Sequence, residues 1–444
     1  MRRRSRLAAA VAIAVLTGAV AGCGDPGTAA RAGATGDGLC RTGPGAPHVL
    51  AAADRRAPTV TASDDGSQVA AWESRTGGPV EAAVRPPGGD WSPARPVGGP
   101  NALGPVTGAA GGLAVVAWEG FTTGDRVVSA AASRHGRWTG PVVLSRPGRR
   151  ATQPAAAATG DAVVVGWTEQ DPAAVVAVEI TGGPGGTGEP TVLAGDGEAV
   201  SRLRLAATGD GRVAAIWLRD GADGRVVEAA VRGRTGDWSR PTRLSASGDD
   251  AADPVLAGGA GAAVAAWRTA DGRRGLRLVA RVLDGTGWSE ERQLTAGVDL
   301  PRGEARSDVG SVAPAAAVGV DGTAVVAWPQ RRDGREEVVT ATWSAAGGWS
   351  RARPVSRSSE QAGSPAVAVD AAGRPVVAWE SLAGDRQTVR VAVDGAPGCA
   401  LTRPGREASA PRAAAGPGGS VTAVWVDANR GAIETADVPG GTDR

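Results

Sequence analysis

The sequence has no lysine and no tyrosine, and it contains only one phenylalanine, one methionine, two histidines and three cysteines. Each shortage excludes something. Chemistry that depends on a tyrosine is out of reach. Two separated histidines, His48 and His135, cannot build a histidine-rich metal site, and neither stands in a ligand pattern; no metal and no cofactor are expected. All 48 basic residues are arginine, interleaved with 46 acids for a net charge of only +2. That is not the concentrated basic footprint of a nucleic-acid binder, so no nucleic-acid partner is expected. The GxSxG elbow, the P-loop and the HExxH motif are all missing. The stretches DDGS, GDGR and DGADGR imitate fragments of calcium loops, but without the twelve-residue ligand spacing they read as hairpin turns.

What is present begins with a targeting segment, which must be set aside before fold reasoning. Arg2, Arg3, Arg4 and Arg6 form a charged start, and residues 7–20 an apolar run too short for a confident membrane span. The run ends in VAGC, residues 20–23, which resembles the bacterial lipobox. That resemblance implies cleavage before Cys23 and a lipid on its thiol, so that residues 1–22 are a lipoprotein signal peptide. The mature chain is then expected to be anchored to the membrane by lipid, outside the cytoplasm. Residues 23–45, rich in Gly, Ala and Thr, read as a flexible tether. Export into an oxidising compartment favours a disulfide between the remaining cysteines, Cys40 and Cys399.

The rest of the chain repeats. Eight short apolar runs end in Trp72, Trp118, Trp167, Trp217, Trp267, Trp328, Trp379 and Trp425, spaced 46, 49, 50, 50, 61, 51 and 46 residues apart. A period in this range signals a solenoid or propeller. Frequent Gly, Pro and Asp, with abundant Val, favour strands over helices. Residues 203–245 show the unit: LRLAAT, a GDG turn, RVAAIW, a GADGR turn, VVEAAVR, a GRTGDW turn, and SRPTRLS. Asp-Gly or Gly-Gly recurs at the first turn, where glycine supplies the positive φ of tight hairpins. Four antiparallel strands per roughly 50 residues make a propeller blade.

The fold expected over residues 46–444 is therefore an all-β propeller of eight four-stranded blades. Runs such as AVVAW are apolar at nearly every position, as strands covered on both faces must be. One indole per blade would fill the gap between neighbouring blades; a stacking platform for sugars is the alternative use. A second series, Trp91, Trp138, Trp238, Trp288 and Trp349, opens the fourth strands. The last repeat stops after its third strand, at residues 431–438, and residues 46–51 are expected to supply the missing fourth strand and close the ring.

This pattern resembles the sialidase-like and quinoprotein-like bacterial propellers over about 400 residues. The resemblance implies the fold but not the chemistry. The sialidase Asp-box is not repeated here, and that family's catalytic tyrosine has no counterpart. The quinoprotein-like signature is echoed only in AAVRGRTGDW, residues 229–238.

For function, the residues after each first-series Trp are expected to lead into loops on one face of the disc. Glu73, Glu119, Glu169 and Glu380, with Asp427, would form an acidic sector, and Arg219, Arg268, Arg331 and Arg332 a basic one. The longest insertion, residues 295–314, lies on the same face; its Arg302 and Arg306 would extend the basic sector. Long loops on a rigid scaffold are where binding resides. The expectation is a surface-anchored, non-catalytic propeller binding a protein or glycan partner in the cell envelope. The alternative is an enzyme acting on polysaccharide through carboxylates on that face. The first test is of the anchor: Cys23→Ser should release the protein from membranes or leave its precursor uncut, and equal lipid labelling of both proteins would remove the lipoprotein reading.

Overall fold

The computed structural model describes residues 47–439, apart from 75–76, 183–185, 196, 223, 247, 272–274, 296–299, 301–311 and 417–419. Cys23, Cys40, Arg302 and Arg306 lie outside the described residues. Eight antiparallel sheets follow one another along the chain. They cover residues 55–96, 103–143, 152–194, 200–243, 252–293, 315–354, 361–400 and 408–438, numbered here as blades 1 to 8. The expected eight-bladed propeller is what forms. In blade 4 the four strands are Val200–Ala207, Val213–Gly221, Gly224–Arg232 and Thr242–Arg243, running from the axis outward.

Blade 8 is completed by the start of the domain. His48–Ala51 pairs antiparallel with Ala432–Val438, setting His48 opposite Thr435 and Val49 opposite Glu434. Polar groups reinforce the junction of blades 8 and 1. Gln68 Nε2 donates to Thr422 Oγ1 at 2.9 Å, and Arg85 pairs with Asp437 at 2.9 Å. The ring is thus closed by side chains as well as by a shared sheet.

The core is divided into wedges. Eight large apolar clusters each span two adjacent blades, and each contains one first-series tryptophan. All eight of these tryptophans are at most 3% exposed. Small residues let the sheets approach: a Cβ on Gly258 would strike the Ala207 carbonyl of the preceding blade. The second-series tryptophans are half-buried and pack onto the same wedges from outside, as Trp91, Trp138 and Trp238 do.

A buried indole needs a partner for its N–H. Trp72, Trp217 and Trp425 donate to Glu81, Glu228 and Glu434 at 2.9, 3.1 and 3.1 Å, each glutamate lying directly opposite on the third strand. Trp167, Trp328 and Trp379 donate to Glu169, Gln330 and Glu360 at 3.2, 3.3 and 3.2 Å.

The outer strands are short, and hydroxyls complete the edge they leave. Val231 and Val227 of blade 4 donate backbone N–H groups to Ser239 and Ser245 Oγ at 3.0 and 2.9 Å. Blade 6 repeats the device with Ser350 and Ser356. This blunts edges that would otherwise invite pairing with another chain.

Trp217→Ala removes both the wedge filler and the partner of Glu228, so it should destabilise by about 3–5 kcal/mol. The measurement is the shift in denaturant midpoint; a change below about 1 kcal/mol, the range of a mild core substitution, would contradict the role of the indole.

Candidate functional site

The residues around the axis are set by a feature repeated in the innermost strands. Ala57, Gly104, Gln153, Arg202, Asp253, Ser364 and Ala410 all have φ between 47° and 58°. At each, the ladder to the second strand shifts register. All but Arg202 precede a proline, which has no N–H to give the ladder and is tolerated at a bulge. Bulges re-aim neighbouring side chains and favour functional regions.

The bulged end coincides with the end of each second strand, since Arg56 lies opposite Glu73 and Leu103 opposite Glu119. Here one blade grips the next. Glu73 Oε1 accepts the Gly104 N–H at 2.6 Å, Glu119 Oε1 accepts that of Gln153 at 2.8 Å, and Glu380 Oε1 accepts that of Ala410 at 2.6 Å. The Gln153 side chain in turn accepts the Arg202 N–H. Amides freed by the bulges are satisfied by the preceding blade.

The sequence-derived charge sectors are therefore not an open belt. Glu73, Glu169, Glu380 and Asp427 are buried, as is Arg268. Glu73 also pairs with Arg56 at 2.7 Å, and Glu169 lies 3.7 Å from Arg149. Arg219 binds Glu198 and Glu228 at 2.6 and 3.2 Å, and Arg268 binds Asp253 at 3.0 Å. Arg331 and Arg332 are exposed but pair within their own hairpin, with Glu336 at 3.3 Å and Glu337 at 3.2 Å. The physical reason is strand length: Leu113–Thr122 and Val213–Gly221 each continue four residues past their tryptophan, so the next residues still belong to the sheet.

Sequence reasoning missed the residues that do approach the axis. Arg204 and Arg412 lie two positions beyond the bulge residues of blades 4 and 8, on the innermost strands. Their guanidiniums hydrogen-bond to the carbonyls of Leu203 at 3.0 Å and Pro411 at 2.8 Å. Burial lowers the pKa of Arg204 to about 10, helped by the nearby charges of Arg202 and Arg412 and opposed by Asp253. Desolvation by the surrounding strands likewise lowers that of Arg412, though the residue remains exposed to solvent, with Glu380 opposing. Glu380 itself is pushed above the usual carboxylate range by burial, against the pull of its bonds to Ala410, Ser364 and Gln387 and of the Arg412 charge.

The two histidines are far apart in the fold: His48 sits in the closing strand, His135 in a hairpin turn with φ of 49°. His135 borders an apolar cleft of about 330 Å³ between blades 1 and 2, together with Gln68, Pro86, Leu113 and Ser133. Among the described residues no three His, Cys, Asp or Glu side chains gather as a metal site. Cys399, in the outer strand of blade 7, is disulfide-bonded, and its expected partner Cys40 lies outside the described residues.

No family model matches the chain, and no curated protein sequence does. Solved structures of similar fold are propellers. An ulvan lyase, a polysaccharide lyase bound to a chain of glucuronic acid and sulfated rhamnose, superposes with a TM-score of 0.51 at 11% identity, covering 88% of this chain and 96% of that one. A prolyl endopeptidase gives a TM-score of 0.50 at 13% identity, over 86% of this chain and 54% of the other. A Trypanosoma rangeli sialidase variant gives 0.39 at 12% identity, over 70% and 56% of the two chains. At such identities the likeness establishes the propeller fold and nothing about activity.

Because its pKa is raised in the folded state, Glu380 favours the native protein below the unfolded carboxylate value of about 4.3. That contribution is lost as pH rises through the raised folded value. Glu380→Gln should therefore gain in melting temperature relative to the parent as pH rises from 4 toward 8, while Glu380→Ala, which abandons the Ala410 amide, should melt lower at every pH. A constant difference between parent and Gln variant would contradict the assignment.

Proposed function

We propose that this chain is a lipid-anchored, non-catalytic propeller that binds a protein or glycan partner in the cell envelope at the bulged end of its blades. The observation that carries this reading is the fate of the carboxylates there. Glu73, Glu119, Glu169, Glu380 and Asp253 are each engaged by backbone amides, an indole or an arginine. Carboxylates so engaged hold the blades in register and are poorly placed to serve as a general acid and base. Arg204 and Arg412, on the innermost strands of this end, are cationic, which suits recognition of an anionic partner. Cys23 would hold the assembly at the membrane surface.

The alternative, a polysaccharide-acting enzyme, is favoured by one observation. Glu380 is buried, has a raised pKa and lies near the Arg412 charge, which is how a general acid is prepared. Its three hydrogen-bond partners argue for the structural role instead. The ulvan lyase shows that a propeller of this size can accommodate an anionic glycan; it supports the ligand class and not the reaction.

A glycan array probed with the purified propeller, beside a cross-linking pull-down from intact cells, tests the proposal. Retention of one glycan class, or recovery of one envelope protein, without bond cleavage is the expected result. Release of new chain ends from a retained polysaccharide would transfer the protein to the enzymes, and failure to retain anything in both experiments would remove the binding reading.

A further inference from the structure

Blades 4 and 8 stand opposite each other in a closed ring of eight. Arg204 and Arg412 occupy equivalent places on their innermost strands, so they approach from opposite sides of the axis. The corresponding positions in the other blades are Thr59, Val106, Ala155, Val255, Ala315 and Ala366, none of which carries a charge. Among the described residues neither arginine forms an ion pair with a carboxylate; each spends one hydrogen-bond arm on the carbonyl of its preceding residue. The two nearest acids are engaged elsewhere, Asp253 with Arg268 at 3.0 Å and Glu380 with Ala410 and Gln387 at 2.6 and 2.8 Å. Arg202, exposed at the bulge of blade 4, adds a third cation at the same place.

We infer that Arg204 and Arg412 form an oxyanion site on the propeller axis, which takes the carboxylate or sulfate group of a slender ligand between two guanidinium forks. Planar guanidiniums suit this task because each offers paired N–H donors matched to two oxygens of such a group. The influence of the Arg412 charge, which lowers the pKa of Arg204, agrees with this placement. A bound anion would relieve that repulsion and fill donor arms left open by the protein. The inference deepens the binding reading by naming the chemical group that is recognised, but its test uses simple anions and needs no identified partner.

Binding of sodium sulfate and of sodium glucuronate is measured by calorimetry and by thermal melting, with sodium chloride at matched ionic strength as the reference. Saturable binding and a rise in melting temperature are expected for at least one of the two, and which one distinguishes a sulfate-bearing from a carboxylate-bearing ligand. Arg204→Gln and Arg412→Gln should each weaken binding by at least about tenfold, the loss of one charge-assisted contact. In chloride both variants should melt no lower than the parent, because each removes one of two neighbouring like charges. Should either variant fail to fold, a crystal of the parent soaked in sodium selenate, the anomalously scattering analogue of sulfate, gives the second measurement: a selenium peak between the two guanidiniums supports the site and its absence overturns it. Parent behaviour indistinguishable from chloride, or variants that bind as the parent does, would also overturn it. Anion binding without any glycan or protein partner would leave this site standing and remove only the envelope reading.

Discussion

The structure depends on a large apolar ring, carrying one polar N–H, being buried between every pair of blades. Burying an indole stabilises an interface through its area, but an unpartnered N–H there costs about 1–3 kcal/mol. In blades 1, 4 and 8 a glutamate opposite the tryptophan meets this need. Blades 3, 6 and 7 use Glu169, Gln330 and Glu360 instead, and the Trp267 N–H has no partner among the described residues. A buried carboxylate then needs a cation of its own. Trp72, Glu81 and Arg55 form such a chain of three, with Arg55 on Glu81 at 2.7 Å. Trp217, Glu228 and Arg219 form another, at 3.1 and 3.2 Å. Much of the charge at the loop end follows from the tryptophans. It is the polar half of a packing solution that blades 1 and 4 share.

That dependence explains what the sequence made visible and what it concealed. Blade number and closure were legible because their signals are local: the spacing of the first tryptophans, the Asp-Gly turns, and a final repeat lacking its fourth strand. The pairing of His48–Ala51 with Ala432–Val438 required only that the missing strand be sought at the other end of the domain. The burial of several of the charged residues was hidden because exposure is not local. Glu119 and Arg219 looked like the first residues of loops, yet their strands run on to Thr122 and Gly221. Opposite-strand pairs such as Trp425 and Glu434 are nine residues apart, a relation that appears only once the register is known.

A signal for the axial residues did exist. An X-Pro pair recurs near the start of the innermost strand in most repeats, at Ala57-Pro58, Gln153-Pro154, Asp253-Pro254 and Ala410-Pro411. The repetition of a residue that cannot donate to a ladder marks a bulge. Counting two positions onward from X would have reached Arg412. In blade 4 the proline is replaced by Leu203, although the bulge at Arg202 is kept, so the same count reaches Arg204 only after alignment to the other blades.

The axial arginines also run against the logic of the rest of the fold. Elsewhere a buried charge answers a need created by packing: glutamates satisfy indoles and bulge amides, and arginines satisfy glutamates. Among the described residues Arg204 and Arg412 satisfy neither an indole nor a carboxylate. Although Arg204 is only half-buried and Arg412 exposed, partial desolvation by the blades around them makes the charged forms less favourable. Thr, Val and Ala serve the equivalent places in six blades, so the architecture has no need of a cation there. The Arg412 charge disfavours the charged form of Arg204, so the pair works against the ring rather than for it. Where a fold departs from its own packing logic at one point, that point is the first place to test for binding.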